Sequence, residues 1–197
     1  MAINPEIYKR VDDEVVKLHL FWQVYRNVYA VSKDQIDLLN SVDDIFFGII
    51  QQIFFNEVIL HISRLTDKET QGKNQNLSLV TLINNVNNEL SEPIQKQLYD
   101  LQQQLNENVV IIRKKRSKSI AHLDYEYAVN NEDSIGISRQ EIEIVLEIIR
   151  KILNIIKMEI EGSYKEYQLI TTNSSGALSS GSKLISYLNK KKKNDFL

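Results

Sequence analysis

The residue types best suited to chemistry lie in one basic segment, RKKRSKSIAHLD, at residues 113–124. Five of the six residues from Arg113 to Lys118 are basic, and His122 is one of only three histidines in the chain. The whole chain of 197 residues carries a formal net charge of -2, so it is not a uniformly basic nucleic-acid coat. A local basic patch can nevertheless bind a polyanion on a near-neutral protein, which makes this segment the first candidate site.

The spacing of Arg116 and His122 sets a geometric condition on that site. In a regular helix the two residues lie about 120° apart around the axis, and about 9 Å apart along it. One helix alone does not bring both side chains to one phosphate without long side-chain reach. Two such helices meeting at a two-fold axis would place an Arg and a His in a shared cleft, so we expect a homodimer.

The elements that carry this segment are predicted to be helical throughout. The six Gly and two Pro residues fall almost entirely where helical patterns begin or end, which indicates an all-α domain. Apolar residues recur at helical spacing in five main helices and one short C-terminal helix. The expected ranges are Pro5–Tyr29, Ser32 or Asp34 to Leu65 or Thr66, a short helix from Ser78, a long helix from Ser91-Glu92-Pro93 toward His122, a helix launched by the Ser138–Glu141 capping box, and about Ala177 to Asn189.

Composition excludes several classes of protein and of site. The chain has no Cys, which excludes disulfides, Cys-ligated zinc and Cys nucleophiles, and its His spacing predicts no metal site and no cofactor. The most apolar stretch, Ile45–Ile62, is interrupted by polar residues, so we expect no membrane span. The N-terminus lacks the pattern of a secretory signal, and we expect a cytoplasmic protein. One domain is expected over 1–197, with a polar connection near 163–176 and a Lys-rich tail at 190–197.

The segment Arg116-Ser-Lys-Ser-Ile-Ala-His122-Leu-Asp124 resembles the R-x(4 to 6)-H motif of the HEPN superfamily. Many of these all-α proteins are metal-independent ribonucleases of toxin, abortive-infection and CRISPR systems. A second stretch, from Arg64-Leu-Thr-Asp67 to Asn76-Leu-Ser-Leu79, resembles the AbiU-like abortive-infection branch. The resemblance covers most of the chain from Val15 to Ile160, and it implies an HEPN-like helical bundle.

The resemblance implies an endoribonuclease of a phage-defence or toxin–antitoxin system that cleaves RNA by 2′-OH attack. Its catalytic residues would be His122, which transfers protons, and Arg116, which holds the phosphate. Supporting roles would fall to Ser117 and Asp124, and the implied partners are RNA, a second protomer and an antitoxin or regulatory protein. The implied RNA-binding residues are Lys114, Lys115, Lys118 and Tyr125.

Two other interpretations remain open. The residue after the motif Arg is commonly Asn, Asp or His, and here it is Ser117, which favours a non-catalytic module that binds RNA or a partner protein. Alternatively, the basic segment only complements the dipole at a helix C-terminus, where cations are favourable in any protein.

Overall fold

The computed structural model describes residues 4–121, 124, 125, 129, 136–169 and 181–194, and within these ranges it confirms the all-α fold class. The helices are α1 (Pro5–Tyr29), α2 (Lys33–Thr66), α3 (Leu79–Val86), α4 (Glu92–Asn108), α5 (Val110–Lys115), α6 (Arg139–Glu161) and α7 (Ser182–Asn194). Shorter turns are a π-helical turn at Arg116–Ile120 and 3-10 turns at Asn87–Glu89 and Tyr167–Leu169. A small antiparallel hairpin pairs β1 (Thr70–Gln71) with β2 (Asn74–Gln75).

The backbone forms two compact units, each made from two stretches of chain. Unit 1 comprises Met1–Lys17 and Ile59–Tyr167, and unit 2 comprises Leu18–Val58 and Gln168–Leu197. Both α1 and α2 contribute to each unit. The expectation of a single domain over 1–197 stays a prediction.

The core of unit 1 is built on the apolar faces of α4 and α6, which pack against each other. Leu98 and Leu105 of α4 are buried, as are Leu146 and Ile149 of α6, because their i, i+3/i+4 spacing places them on one face of each helix. The first turns of α1 and the last turns of α2 add Val11, Val15, Ile62 and Leu65 to the buried residues of this unit.

Helix α6 begins where the sequence predicts and has a defined cap at each end. The Oγ of Ser138 accepts a hydrogen bond from the Glu141 backbone N–H at 3.1 Å, and Glu141 Oε2 accepts one from the Ser138 N–H at 2.7 Å. Gly162 terminates the helix with a φ of 61°, in the left-handed region that favours glycine. The two hydrogen bonds between Ser138 and Glu141 confirm the capping-box prediction.

The core of unit 2 joins α1, α2 and α7 through a cluster that includes Val28, Leu39, Phe47 and Ile185. Helix α7 runs to Asn194, so the expected boundary at Asn189 is wrong. Lys190–Lys192 are exposed residues of this helix. A run of four lysines does not end a helix, because lysine has a high helix propensity.

Helix α2 contains a break that the sequence analysis did not anticipate. Asp43 adopts extended backbone angles (φ -166°, ψ 96°), and its Oδ1 accepts a hydrogen bond from the Phe46 N–H at 2.9 Å. Asp43 therefore acts as an N-cap inside α2, a role for which Asp is among the preferred residues.

Helix α2 is long and apolar enough to cross a membrane by length and composition alone. Its most apolar window has a mean hydropathy of 1.6, and 28% of that window is buried. The core helix of a soluble protein meets the same criterion, but such a helix is mostly buried. The low burial means that much of the apolar surface of α2 lacks a covering element among the described residues.

Candidate active site

The basic segment lies in unit 1, but it does not form the end of one long helix. Helix α4 ends at Asn108, α5 spans Val110–Lys115, and a π-helical turn follows. The expectation of a single helix from Ser91 toward His122 is therefore wrong. The break at Val109 opens a run of four β-branched residues, 109–112, whose stiff side chains crowd the preceding helical turn.

Arg116 begins the π-helical turn, and the Ala121 N–H donates a hydrogen bond to the Arg116 carbonyl at 2.8 Å. This five-residue turn replaces the regular α-helix assumed from the sequence, so the angle of about 120° estimated between Arg116 and His122 does not apply. Turns of this type are rare and occur frequently at functional sites. His122 itself lies outside the described residues.

The side chain of Arg116 is half-buried. Its Nε is buried and donates no hydrogen bond within the part of the chain that the structure describes. A buried donor without a partner costs about 1–3 kcal/mol. Among the described residues, Arg116, the predicted phosphate-binding residue, therefore has a buried N–H without an acceptor.

The two predicted supporting residues have identifiable local partners. The Ser117 Oγ donates a hydrogen bond to the Lys114 carbonyl at 3.1 Å. Asp124 Oδ2 lies 2.5 Å from the Lys118 Nζ, and the Asp124 N–H donates to the Lys118 carbonyl at 3.2 Å. Ser117 is thus bonded to its own helix, while Asp124 holds the Lys118 ammonium and closes the following turn.

The predicted RNA-binding residues differ in exposure. Lys114 is exposed, Lys115 and Lys118 are half-buried, and the Tyr125 side chain is 78% exposed. An open ring of this kind is accessible for stacking on an unpaired base. The Lys118 ammonium is engaged by Asp124, so a phosphate at that position would meet a partly neutralised charge.

Arg113, the first residue of the basic segment, contacts the end of α2. Its Nη2 donates a hydrogen bond to the backbone carbonyl of Thr66 at the end of α2. Burial lowers the pKa of Arg113 from its usual value, and the charge of Asp67 acts in the opposite direction. Arg113 therefore connects the basic segment to the C-terminal turn of α2.

The sequence analysis missed a second polar cluster in the same unit. Glu14 Oε1 lies 2.7 Å from His61 Nδ1 and 3.1 Å from Arg64 Nη2. Helical spacing was the feature of the sequence that could have indicated this cluster. Glu14 and Lys17 are three residues apart and share a face of α1, and His61 and Arg64 likewise share a face of α2. The sequence alone did not show that these faces of α1 and α2 contact each other. No group of three or more metal-ligating side chains gathers among the residues described.

A family model described as HEPN AbiU2 matches residues 5–178, most of the chain and all of the basic segment. The chain belongs to the AbiU2 family. No curated protein and no solved structure matches it significantly.

Membership in the AbiU2 family confirms the resemblance drawn from the Arg116–Asp124 and Arg64–Leu79 stretches. It places the protein among abortive-infection-related HEPN domains. Both stretches lie within the matched range, so the AbiU2 assignment includes the π-helical turn that carries Arg116.

Proposed function

We propose that this AbiU2 protein is a metal-independent endoribonuclease of a phage-defence or toxin–antitoxin system. The observation that carries the proposal is the position of Arg116 within a matched HEPN domain. It begins a π-helical turn and is half-buried, and its hydrogen bonding is incomplete among the described residues. A guanidinium held in this way suits the charge that develops on a phosphodiester during cleavage.

The proposed reaction is attack of the ribose 2′-oxygen on the adjacent phosphorus. The P–O5′ bond breaks, and the products carry a 2′,3′-cyclic phosphate and a 5′-hydroxyl. His122 is the proposed proton-transfer residue, since an imidazole both accepts and donates protons near neutral pH. Arg116 stabilises the negative charge on the non-bridging oxygens, while Lys114, Lys115 and Lys118 hold flanking phosphates.

The proposed active form is a homodimer in the cytoplasm. Five apolar side chains of α2 are each at least half exposed: Val42, Ile45, Phe46, Ile49 and Ile53. An exposed apolar stripe of this size commonly marks an interaction surface. We propose a second copy of the chain as its occupant, since a two-fold dimer can bury the apolar stripe of one protomer against the same stripe of the other. An antitoxin or regulatory protein is the further partner proposed for such a system.

The dimer is tested by sedimentation of the wild type and of an Ile49→Glu variant. The wild type should sediment as a dimer at micromolar concentration, and Ile49→Glu should shift the population toward monomer. Asn40→Glu, an exposed change on the same helix at a position that is not part of the apolar stripe, is the matched control and should leave the mass unchanged. A monomeric wild type contradicts the proposed dimer.

The catalytic proposal is tested by incubating total RNA with the protein in EDTA. We expect wild type to produce 2′,3′-cyclic phosphate ends, and His122→Ala to slow cleavage by about 10²–10⁴-fold, the usual contribution of a general acid–base residue. Arg116→Ala should slow cleavage similarly, whereas Arg26→Ala removes an exposed Arg of α1 and should have no effect. Equal cleavage by wild type and His122→Ala would overturn the proposal.

A second candidate function is a non-catalytic HEPN module that binds RNA or a partner protein. The observation that favours it is the hydrogen bond from Ser117 to the Lys114 carbonyl, which engages the hydroxyl that stands where a longer polar side chain is common. In that case wild type binds RNA in a salt-dependent way and leaves it intact in the same assay.

A further inference from the structure

A second polar cluster of unit 1 lies where α1 and the last turns of α2 approach each other. The His61 side chain is only 5% exposed, and its Nδ1 lies 2.7 Å from Glu14 Oε1. Arg64 Nη2 lies 3.1 Å from the same oxygen, and Lys17 Nζ lies 3.9 Å from Glu14 Oε2. One carboxylate is thus surrounded by an imidazole, a guanidinium and an ammonium.

This cluster lines an open cleft of about 500 Å³, which we call the Glu14 cleft. Its volume falls within the range of small-molecule sites in proteins. Arg10, Lys17 and Arg64 contribute positive charges to the wall, and Asp13 and Glu14 contribute negative charges. Arg10 is paired with Glu6 at 2.7 Å, so the cations that the cleft offers to a ligand are Lys17 and Arg64. A negatively charged group that contacts both of these side chains is the favoured occupant.

The contact with Glu14 engages only part of the Arg64 guanidinium. A guanidinium has five N–H donors, and the ion pair with Glu14 is made through Nη2. The Arg64 side chain is 52% exposed, so its remaining donors are open to a ligand in the cleft. Glu14 thereby holds one edge of Arg64, and the free edge matches the two oxygens of a phosphate.

The position of the cleft connects it to the basic segment. Arg64 lies two residues before Thr66, whose carbonyl accepts the hydrogen bond from Arg113. Two residues of helix correspond to about 3 Å of rise. The C-terminal turn of α2 therefore contacts the basic segment directly and also carries the principal cation of the cleft.

We propose that the Glu14 cleft binds a phosphate group of a nucleotide, either free or within RNA, with Arg64 as its main ligand and Lys17 as a second cation. Arg116 does not line this cleft, and the proposed binding goes beyond the proposed ribonuclease activity. His61, buried beside the cleft, contributes a polar wall rather than an apolar one.

The experiment measures binding by titration calorimetry in an Arg116→Ala/His122→Ala parent, so that neither cleavage nor the HEPN motif contributes. The probes are inorganic phosphate, adenosine 5′-monophosphate and a short 2′-O-methyl oligoribonucleotide. We expect Arg64→Gln to weaken binding by about tenfold or more, because charge-assisted hydrogen bonds are the strong ones. Arg26→Gln removes an exposed Arg outside the cleft and should match the parent.

Lys17→Gln is the second test variant. Its side chain is 61% exposed, so its loss should leave the fold intact while weakening binding by a smaller factor than Arg64→Gln. If mononucleotide binding weakens in both variants, a free nucleotide is a ligand of the cleft. If only oligonucleotide binding weakens in both variants, the ligand is RNA. Failure of every probe to bind the parent, or equal binding by parent, Arg64→Gln and Lys17→Gln, overturns the proposal. Cleavage by the wild type is measured separately, so the two proposals fail independently.

Discussion

Arg113 of α5 donates a hydrogen bond to the backbone carbonyl of Thr66, the residue that ends α2. The last carbonyls of a helix have no partner within it, and a cation there also complements the helix dipole. This contact ties the start of the basic segment to α2 and leaves Lys114 exposed beside it.

Replacing Arg113 with Met should destabilise the protein by about 1–3 kcal/mol, because it leaves the Thr66 carbonyl without its donor. Lys114→Met is the adjacent control and should change stability by less than about 0.5 kcal/mol, since that side chain is exposed. Urea unfolding of both variants measures the difference. Equal stabilities would show that the Arg113 contact contributes nothing.

The segment after α6 is held to α1 by Asp12. The Tyr167 hydroxyl donates to Asp12 Oδ1, and Lys165 Nζ lies 2.6 Å from Asp12 Oδ2. Burial and the hydrogen bond to Asp12 raise the pKa of Tyr167 far above its ordinary value, so its hydroxyl stays protonated and able to donate. Asp12→Asn should cost about 1–3 kcal/mol of stability by thermal or urea unfolding.

Asp13→Asn provides the charge-matched comparison for Asp12, because Asp13 is an exposed neighbour on the same helix. We expect it to remain within about 0.5 kcal/mol of wild type. A loss of stability as large as that of Asp12→Asn would mean that the effect comes from net charge and not from the Tyr167 and Lys165 contacts.

The capping box of α6 should make stability depend on pH. Hydrogen bonds from the Ser138 backbone and side chain lower the pKa of Glu141. A carboxylate with a lowered pKa stabilises the folded state above its unfolded pKa of about 4.3, and the contribution is lost as pH falls through the folded pKa. The stability difference between wild type and Glu141→Gln should therefore be present at pH 7 and shrink in acid.

Unfolding of both proteins between neutral and acid pH checks this dependence. Glu159→Gln, an exposed change near the other end of α6, is the control for removing one negative charge. A Glu141→Gln difference that stays constant down to the most acidic pH would contradict the role assigned to the carboxylate.

Replacing glycine with alanine should change the stability of the protein in opposite directions at two positions. Gly181 has a φ of +89°, and a Cβ built there lies 2.7 Å from Val28 Cγ2, so Gly181→Ala should destabilise by about 1–3 kcal/mol. Gly48 lies within α2, and apart from its own helical turn no described residue lies within 4 Å of an added Cβ, so Gly48→Ala should stabilise by about 0.5–1 kcal/mol. Thermal unfolding measures the stability of both variants. A stability change of the same sign in both would contradict the difference in backbone conformation and surroundings between Gly181 and Gly48.

Ser117→Asn should increase RNA cleavage if the site is catalytic. The Ser117 hydroxyl bonds to the Lys114 carbonyl, whereas the longer amide of Asn can reach beyond the helix backbone. One added transition-state hydrogen bond of about 1.4 kcal/mol corresponds to about a tenfold faster rate. Ser119→Asn, two residues away on the same turn, is the control, and equal rates for the two variants would assign no role to position 117.

Helix positions were largely predictable because they depend on local spacing. The buried face of α1, the Ser138 capping box and the Pro near the start of α4 are all encoded within a few residues of where they act. The family was also recognisable from short stretches, since Arg116–Asp124 and Arg64–Leu79 carry its pattern in the chain itself.

Only the tertiary structure decided which distant residues meet. The contacts of Glu14 with His61, of Arg113 with Thr66 and of Asp12 with Tyr167 join residues that are far apart in the chain. Local spacing shows which face of a helix a residue occupies, but packing energy selects which face lies opposite it. The π-helical turn at Arg116 is likewise absent from the regular period of the sequence. The amino-acid order thus determined the helices and the family, while long-range packing determined the geometry of the two candidate sites.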